Sequence, residues 1–328
     1  MSAILDELTH FLEHSPTSYH AVEQLSAHLK HNGFKQLALT QLWNLSPGHK
    51  YFVCKEGMAA AFIVPEKKIE KMQLVASHTD SPSLKLKPNP EIEEKESLLL
   101  GTEVYGSPIL HSWFNRDLAI CGKVFFLSNH QVEEKLIFLK EAPLMIPQLA
   151  PHLEKELHEK GSLIDKQLHL RPFFFGKKGE NFSLSELLQR HVPLDKLLSF
   201  DLFLAPLEKP SFLGEDKEIL ASYRLDNLAS VHACLRAITH TSTSSSCLKM
   251  ALFWDHEEIG SRTSEGANSP FLADLLTRIL SNLSEEERIC LKHRSLAASV
   301  DVSHAFNPNF STKYDPNHLS FLGKGIVL

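Results

Sequence analysis

An α/β fold in which one domain is interrupted by another is predicted by three features of the 328-residue sequence. Helix-spaced apolar residues open the chain, several short apolar runs end on a histidine or an acid, and the texture changes between residues 88 and 213. Ile4, Leu5, Leu8, Phe11 and Leu12 recur three or four residues apart and predict an amphipathic helix. Val22, Leu25 and Leu29 predict a second, which stops near Gly33. Tyr51-Phe52-Val53-Cys54 and the run 59–64 flank Lys55-Glu56-Gly57-Met58 and predict a hairpin leading to a strand over Met72 to Ser77. After Pro88-Asn89-Pro90 come a charged stretch, Glu91 to Glu96, then short strands, turns and the proline-punctuated region 143–151, which together predict a mostly-β insertion. The first domain is therefore assigned to residues 1–87 and 214–328, and the inserted domain to 88–213. Ile219 to Leu225 predicts a strand, Leu228 to Ile238 a helix, and the Ser/Thr-rich run 239–246 a loop. Leu248 to Trp254 and Leu296 to Val300 predict two further strands.

Four of these runs end on residues able to hold a metal. Leu248–Trp254 leads into Asp255-His256-Glu257-Glu258. Neighbouring ionised acids repel, and desolvating either costs on the order of several kcal/mol unless a cation or strong donors compensate. One glutamate can then bind a cation while the next serves as a base, because successive side chains at a strand end face opposite ways. A solvated acidic loop is the plainer reading of the same residues. His78 ends the strand 72–77, and Asp80 follows two residues on, a spacing that suits a ligand and the carboxylate orienting its imidazole. Alone, His78 also reads as a surface histidine in a Ser/Thr/Pro turn. Asp226 precedes a helix and reads both as an N-cap and as a carboxylate able to bridge two ions. Asp301 closes the run 296–300. Ligands in open α/β sheets gather beyond the carboxyl ends of the strands, so the four endings are expected to converge on one crevice.

Composition removes several function classes. The balance of 34 basic and 40 acidic residues gives a formal charge of -6 with no sustained basic block, so no nucleic-acid partner is expected. The five cysteines are scattered without metal-binding spacing and read as reduced thiols of a cytoplasmic protein. The acidic, amphipathic start is unlike a secretory signal, and no stretch has the length and apolarity of a membrane span. No Gly-x-Ser-x-Gly elbow occurs, and Gly260 stands where a His-Glu-x-x-His zinc motif would need histidine.

Five segments, Ser77 to Pro82, Trp113 to Leu118, Arg224 to Asn227, Asp255 to Ser261 and Asp301 to Ala305, resemble in content and order the aspartyl aminopeptidase family of two-zinc exopeptidases. The resemblance implies a mixed-sheet zinc exopeptidase domain interrupted by a smaller, mostly-β lid and dimerisation domain. It implies a metal-dependent aminopeptidase that removes the N-terminal residue of peptides, with Asp or Glu preferred. Two zinc ions are implied, manganese or cobalt being possible substitutes. His78 and Asp301 would hold one, Glu258 the other, and Asp226 would bridge them. Glu257 would be the general base and Asp80 would orient His78. His152, in the segment Ile146 to Leu153, resembles a family histidine that reaches a neighbouring subunit's active site, within a dimer-based tetrahedral dodecamer.

The final residues, Leu322 to Leu328, resemble a point where family members continue into a segment carrying a last histidine ligand of the Glu258 zinc. The second metal site is therefore expected to be weak, with His304 and His318 as the available substitutes. A second function stays open on this ground: a truncated, catalytically impaired homologue serving as a metal-binding or assembly subunit.

Overall fold

The computed structural model describes residues 3–153, 161, 163–174, 183–192, 196–243 and 246–328. The chain opens with helices α1 (Ala3–Glu13) and α2 (Ser18–His31), the second capped by the Thr17 hydroxyl, which accepts from the His20 backbone. Six strands form sheet A: β1 (Lys35–Gln36), β2 (Lys50–Lys55), β3 (Met58–Ile63), β4 (Lys71–His78), β12 (Cys247–Trp254) and β13 (Leu296–Ser299). Their order is β1-β2-β3-β12-β4-β13. β12 runs antiparallel to β3 and parallel to β4, while β13 runs parallel to β4 on its other side. The sheet is therefore mixed, and β4, β12 and β13 all end on the same side.

Alternation along β12 explains why both faces of this sheet are covered. Ala251 and Phe253 point into a core shared with Leu25 and Leu29 of α2 and with Leu228 and Val231 of α4 (Leu225–Thr239). Met250, Leu252 and Trp254 point the other way, towards Phe271 and Leu275 of α5 (Phe271–Ile279) and Leu291 of α6 (Glu285–His293). A strand buried on both faces reads as the continuous apolar run seen in the sequence.

Sheet B is antiparallel throughout and occupies the middle of the sequence. Its strands are β5 (Ser83–Glu94), β6 (Ser97–Tyr105), β7 (Leu118–Ser128), β8 (Gln131–Leu144) and β9 (Lys196–Pro206), in the order β6-β5-β9-β7-β8. Leu84, Leu100, Ile120, Phe126 and Leu204 build its separate core, to which the short helix α3 (Leu184–Gln189) adds Leu184, Leu187 and Leu188. The mostly-β character expected of the middle region is thus present. Polar links tie the sheets together. The Tyr19 hydroxyl of α2 donates to Asp201 of β9 at 2.7 Å, and Lys123 of β7 reaches Glu56 in the β2–β3 turn at 2.7 Å.

One expected strand is used differently. Ile219–Ala221, β11, pairs antiparallel with β10 (Ser211–Leu213) in a two-stranded ribbon and does not join sheet A. Asp226 consequently enters the crevice from the start of α4, and only three strands of sheet A end there. None of the five cysteines, all among the described residues, is in a disulfide, and Cys121, Cys234 and Cys247 are buried. No helix among the described residues is long and apolar enough to cross a membrane.

Candidate metal centre

His78 is the last residue of β4 and is buried, at 4% exposure. Its Nδ1 lies 3.1 Å from the Asp80 carbonyl oxygen and 3.3 Å from Asp80 Oδ1. Two acceptors on one nitrogen hold a proton there, and Nε2 is the ring atom turned to the crevice. Nε2 faces Asp226 Oδ1 at 3.4 Å, Asp301 Oδ2 at 3.7 Å and Glu257 Oε2 at 3.9 Å. These three carboxylates are half-exposed, so a buried imidazole forms the floor of an open acidic crevice.

Each acid arrives by a different route. Asp301 follows β13, and its Oδ1 accepts from the Val302 backbone at 2.7 Å. Asp226 sits at the irregular start of α4, in extended backbone with ψ 107°, and Ser81 Oγ donates to its carbonyl. Its carboxylate faces His78 at 3.4 Å and accepts from no helix backbone N–H among the described residues, so the N-cap alternative is not the arrangement adopted. Glu257 and Glu258 lie in a 3-10 turn, Glu257–Ile259, entered through His256 in the left-handed region with φ 59°. The chain has left the strand by then, so their separation comes from the turn and not from the strand alternation expected of them. Their backbone N–H groups donate to Asp80 Oδ1 and Oδ2, each at 3.1 Å.

The ligand atoms of His78, Asp226 and Asp301 all lie within 4.8 Å of one another, as do those of His78, Glu257 and Glu258. Among the described residues, no such group includes His304, His318 or His152. His318 instead meets Asp315 at 2.9 Å, and His152 is exposed in the 3-10 turn Pro151–Leu153 beside sheet B.

The electrostatics of the crevice fit a cation. Glu258 is pushed up to about 7, first by burial and then by the charges of Asp226 and Asp80. Burial alone would lower the His78 pKa, but hydrogen bonds to Asp226 and Asp80 outweigh it and raise it to about 10. Carboxylates this close repel one another until a positive charge enters, and one imidazole nitrogen with several carboxylate oxygens is a donor set that zinc accepts. Beneath the site, buried Asp255 accepts from Ser18 Oγ at 3.0 Å and from the His256 backbone at 2.9 Å. A Cβ on Gly57 would stand 1.8 Å from Asp255 Oδ2, so only glycine lets the β2–β3 turn approach this closely.

One contact has no signature in the sequence. Tyr105, the last residue of β6, donates its hydroxyl to Asp80 Oδ2 at 2.8 Å. It sits 25 positions from Asp80 in a different sheet, where no periodicity or motif links the two.

Comparison with known proteins identifies the family. The family model described as aminopeptidase I zinc metalloprotease (M18) matches residues 11–328. A probable M18 family aminopeptidase 2 of Clostridium novyi is 34% identical over 334 residues, covering 98% of this chain and 76% of the relative. Its namesake in Borreliella burgdorferi is 36% identical over 322 residues, covering 97% and 74%. Among solved structures, Ape4 in a complex with Nbr1 superposes with a TM-score of 0.90 at 31% identity, covering 98% of this chain and 67% of the other. The M18 aminopeptidase of Thermotoga maritima gives 0.84 at 25% identity, covering 98% and 74%. The S. cerevisiae mApe1 dodecamer gives 0.82 at 25%, covering 97% and 76%. Relatives named as aminopeptidases do not favour the reading of a non-catalytic assembly subunit. The chain therefore belongs to the M18 family of aminopeptidase I zinc metalloproteases.

Proposed function

We propose that the crevice is a two-ion aminopeptidase centre in which His78 and Asp301 hold one zinc, Glu258 the other, and Asp226 bridges both. The observation that carries this reading is the approach of carboxylates from three separate segments, Asp226, Glu257 and Asp301, to within 3.9 Å of His78 Nε2. When bound, the ions would supply Lewis acidity, polarising the scissile carbonyl and making water a stronger nucleophile at neutral pH. Glu257 takes the proton of the attacking water and passes it to the leaving amine, which its half-exposed carboxylate can reach. Asp80 holds the proton of His78 on Nδ1, so that Nε2 faces the crevice. The acidic rim attracts the free α-amino group of a peptide, which favours removal of one N-terminal residue at a time.

The finer features belong to the same reading. Peptides beginning with Asp or Glu are the preferred substrates, and manganese or cobalt can replace zinc. Residues 88–213 form a lid and oligomerisation domain set into the catalytic domain of 1–87 and 214–328. The protein is a cytoplasmic homo-oligomer, dimer-based and of the tetrahedral dodecamer type, in which His152 reaches a neighbouring subunit's site. Support for assembly comes from the mApe1 dodecamer, and support for the compartment from five cysteines that form no disulfide.

The test is release of N-terminal residues from peptides of varied first residue, with zinc, manganese, cobalt or no metal. Metal-dependent release, fastest from Asp and Glu peptides and reduced ~10²–10⁴-fold in Glu257→Gln, is expected. Absence of release from every peptide with every metal would overturn the proposal.

A further inference from the structure

The Asp80 carboxylate is the common acceptor of the centre. It is 4% exposed and receives the backbone N–H groups of Glu257 and Glu258, with His78 Nδ1 3.3 Å from its Oδ1. Of those three donors, His78 closes β4 and the other two lie in the turn after β12, both strands belonging to sheet A. The fourth donor, Tyr105, comes from sheet B and makes the shortest of the hydrogen bonds to this carboxylate, 2.8 Å. A rotation of Asp80 would move the imidazole and the acidic turn together, so whatever fixes this carboxylate fixes both.

Tyr105 is itself firmly placed. It pairs with Ser83 in the β5–β6 register, and β5 begins immediately after the His78–Pro82 loop. Its ring packs edge-on to Phe203 of β9 at 5.7 Å and lies 6.3 Å from the His256 ring. At Gly106, the next residue, an added Cβ would stand 3.1 Å from Glu258 Cβ, so the end of β6 abuts the acidic turn. Burial, followed by the Asp80 charge, raises the Tyr105 pKa far above its ordinary value, and the hydroxyl remains a donor at every working pH.

We propose that Tyr105 is a positioning residue of the metal centre: its hydroxyl, supplied from sheet B, fixes the Asp80 carboxylate and through it the His78 imidazole and the Glu257–Glu258 turn. The assignment rests on the two-ion reading above. A purely structural role would use only the ring, packed between Phe203 and His256.

The experiment measures zinc affinity of the full chain by chelator competition, alongside melting of the metal-free protein and kcat and KM for a peptide. Tyr105→Phe keeps the ring and removes the hydroxyl. It is expected to weaken zinc binding ~10–100-fold and to lower kcat, with KM held within about twofold. Phe203→Leu loosens the ring packing but keeps the hydroxyl. It is expected to lower the melting temperature while zinc affinity stays within about twofold. In an Asp80→Asn background, Tyr105→Phe should cost less than about twofold, because the two residues act as one unit. Unchanged zinc affinity in Tyr105→Phe overturns the assignment. So does an equal loss in Phe203→Leu, or the full loss persisting in the Asp80→Asn background. Failure of the wild-type chain to bind zinc would overturn the two-ion reading and this proposal with it, whereas tight binding by both wild type and Tyr105→Phe overturns this proposal alone.

Discussion

His78 is buried at the floor of the crevice, while the carboxylates of Asp226, Glu257 and Asp301 around it are half-exposed. The acids contribute unequally. Among the described residues, Asp301 falls in one group with His78 and Asp226, whereas Glu258 falls in another with His78 and Glu257. Zinc titration is expected to show one tight site, weakened more than about tenfold by Asp301→Ala, and a weaker one lost in Glu258→Ala. Two equally tight sites in the wild type would mean that another ligand completes the second. These residues were legible in the sequence because each ends or follows an apolar run, where a polar residue needs a reason to be present. Tyr105 was not legible, because its partner lies in another sheet and the sequence does not record which strands end side by side. The turn geometry of Glu257 and Glu258 escaped for a related reason: the left-handed residue that sets it is His256, and only a minority of non-glycine residues adopt that conformation.

Elements whose pattern is set by burial on one face or both were readable from the chain. The two N-terminal helices, the β2–β3 hairpin and β12 all appear where spacing and apolar runs placed them. Ile219–Ala221 was misplaced because a short apolar run states a preference for extended backbone and not a choice of partner, and its neighbour Ser211–Leu213 was nearer than the main sheet. The packing of α2 against β8 carries a testable pH dependence. His20 is buried, holds Thr17 Oγ1 at 2.8 Å and meets the Phe138 ring of β8 at 6.2 Å. Burial first, then the Arg224 charge, lowers its pKa from 6.5 to about 4. The unfolded chain therefore takes up the proton first as pH falls. The contribution of neutral His20 is intact above pH 6.5 and is lost as pH falls from 6.5 towards 4, amounting to about 3 kcal/mol at most. Urea denaturation across that window should show a shallower pH slope in His20→Gln than in the wild type, and equal slopes would remove His20 as the cause.

At the scale of the whole molecule, the two cores of sheet A and the separate core of sheet B are joined by polar contacts. Lys123 is 7% exposed and holds Glu56 of the β2–β3 turn and Glu134 of β8, while its Nζ lies 5.0 Å from the Tyr19 ring centre. Lys85 of β5 and Tyr19 of α2 converge on Asp201. Such links are expected to couple the two sheets into one unfolding transition, with probes in sheet A and sheet B reporting the same midpoint. Lys123→Met, which strips two carboxylates of their cation, should lower stability by about 1–3 kcal/mol and begin to separate the two midpoints. Coincident midpoints in that variant would place the coupling elsewhere.

The strand order of sheet A also bears on how the protein is made. β3 and β4 leave the ribosome as near neighbours, yet the strand that lies between them, β12, follows only after all of sheet B has been synthesised. β4 therefore waits without a partner strand while the second sheet, two local hairpins joined through β9, can already fold. Until β12 arrives, the apolar edges of β3 and β4 stay open, and that interval is when the growing chain most needs protection from other chains.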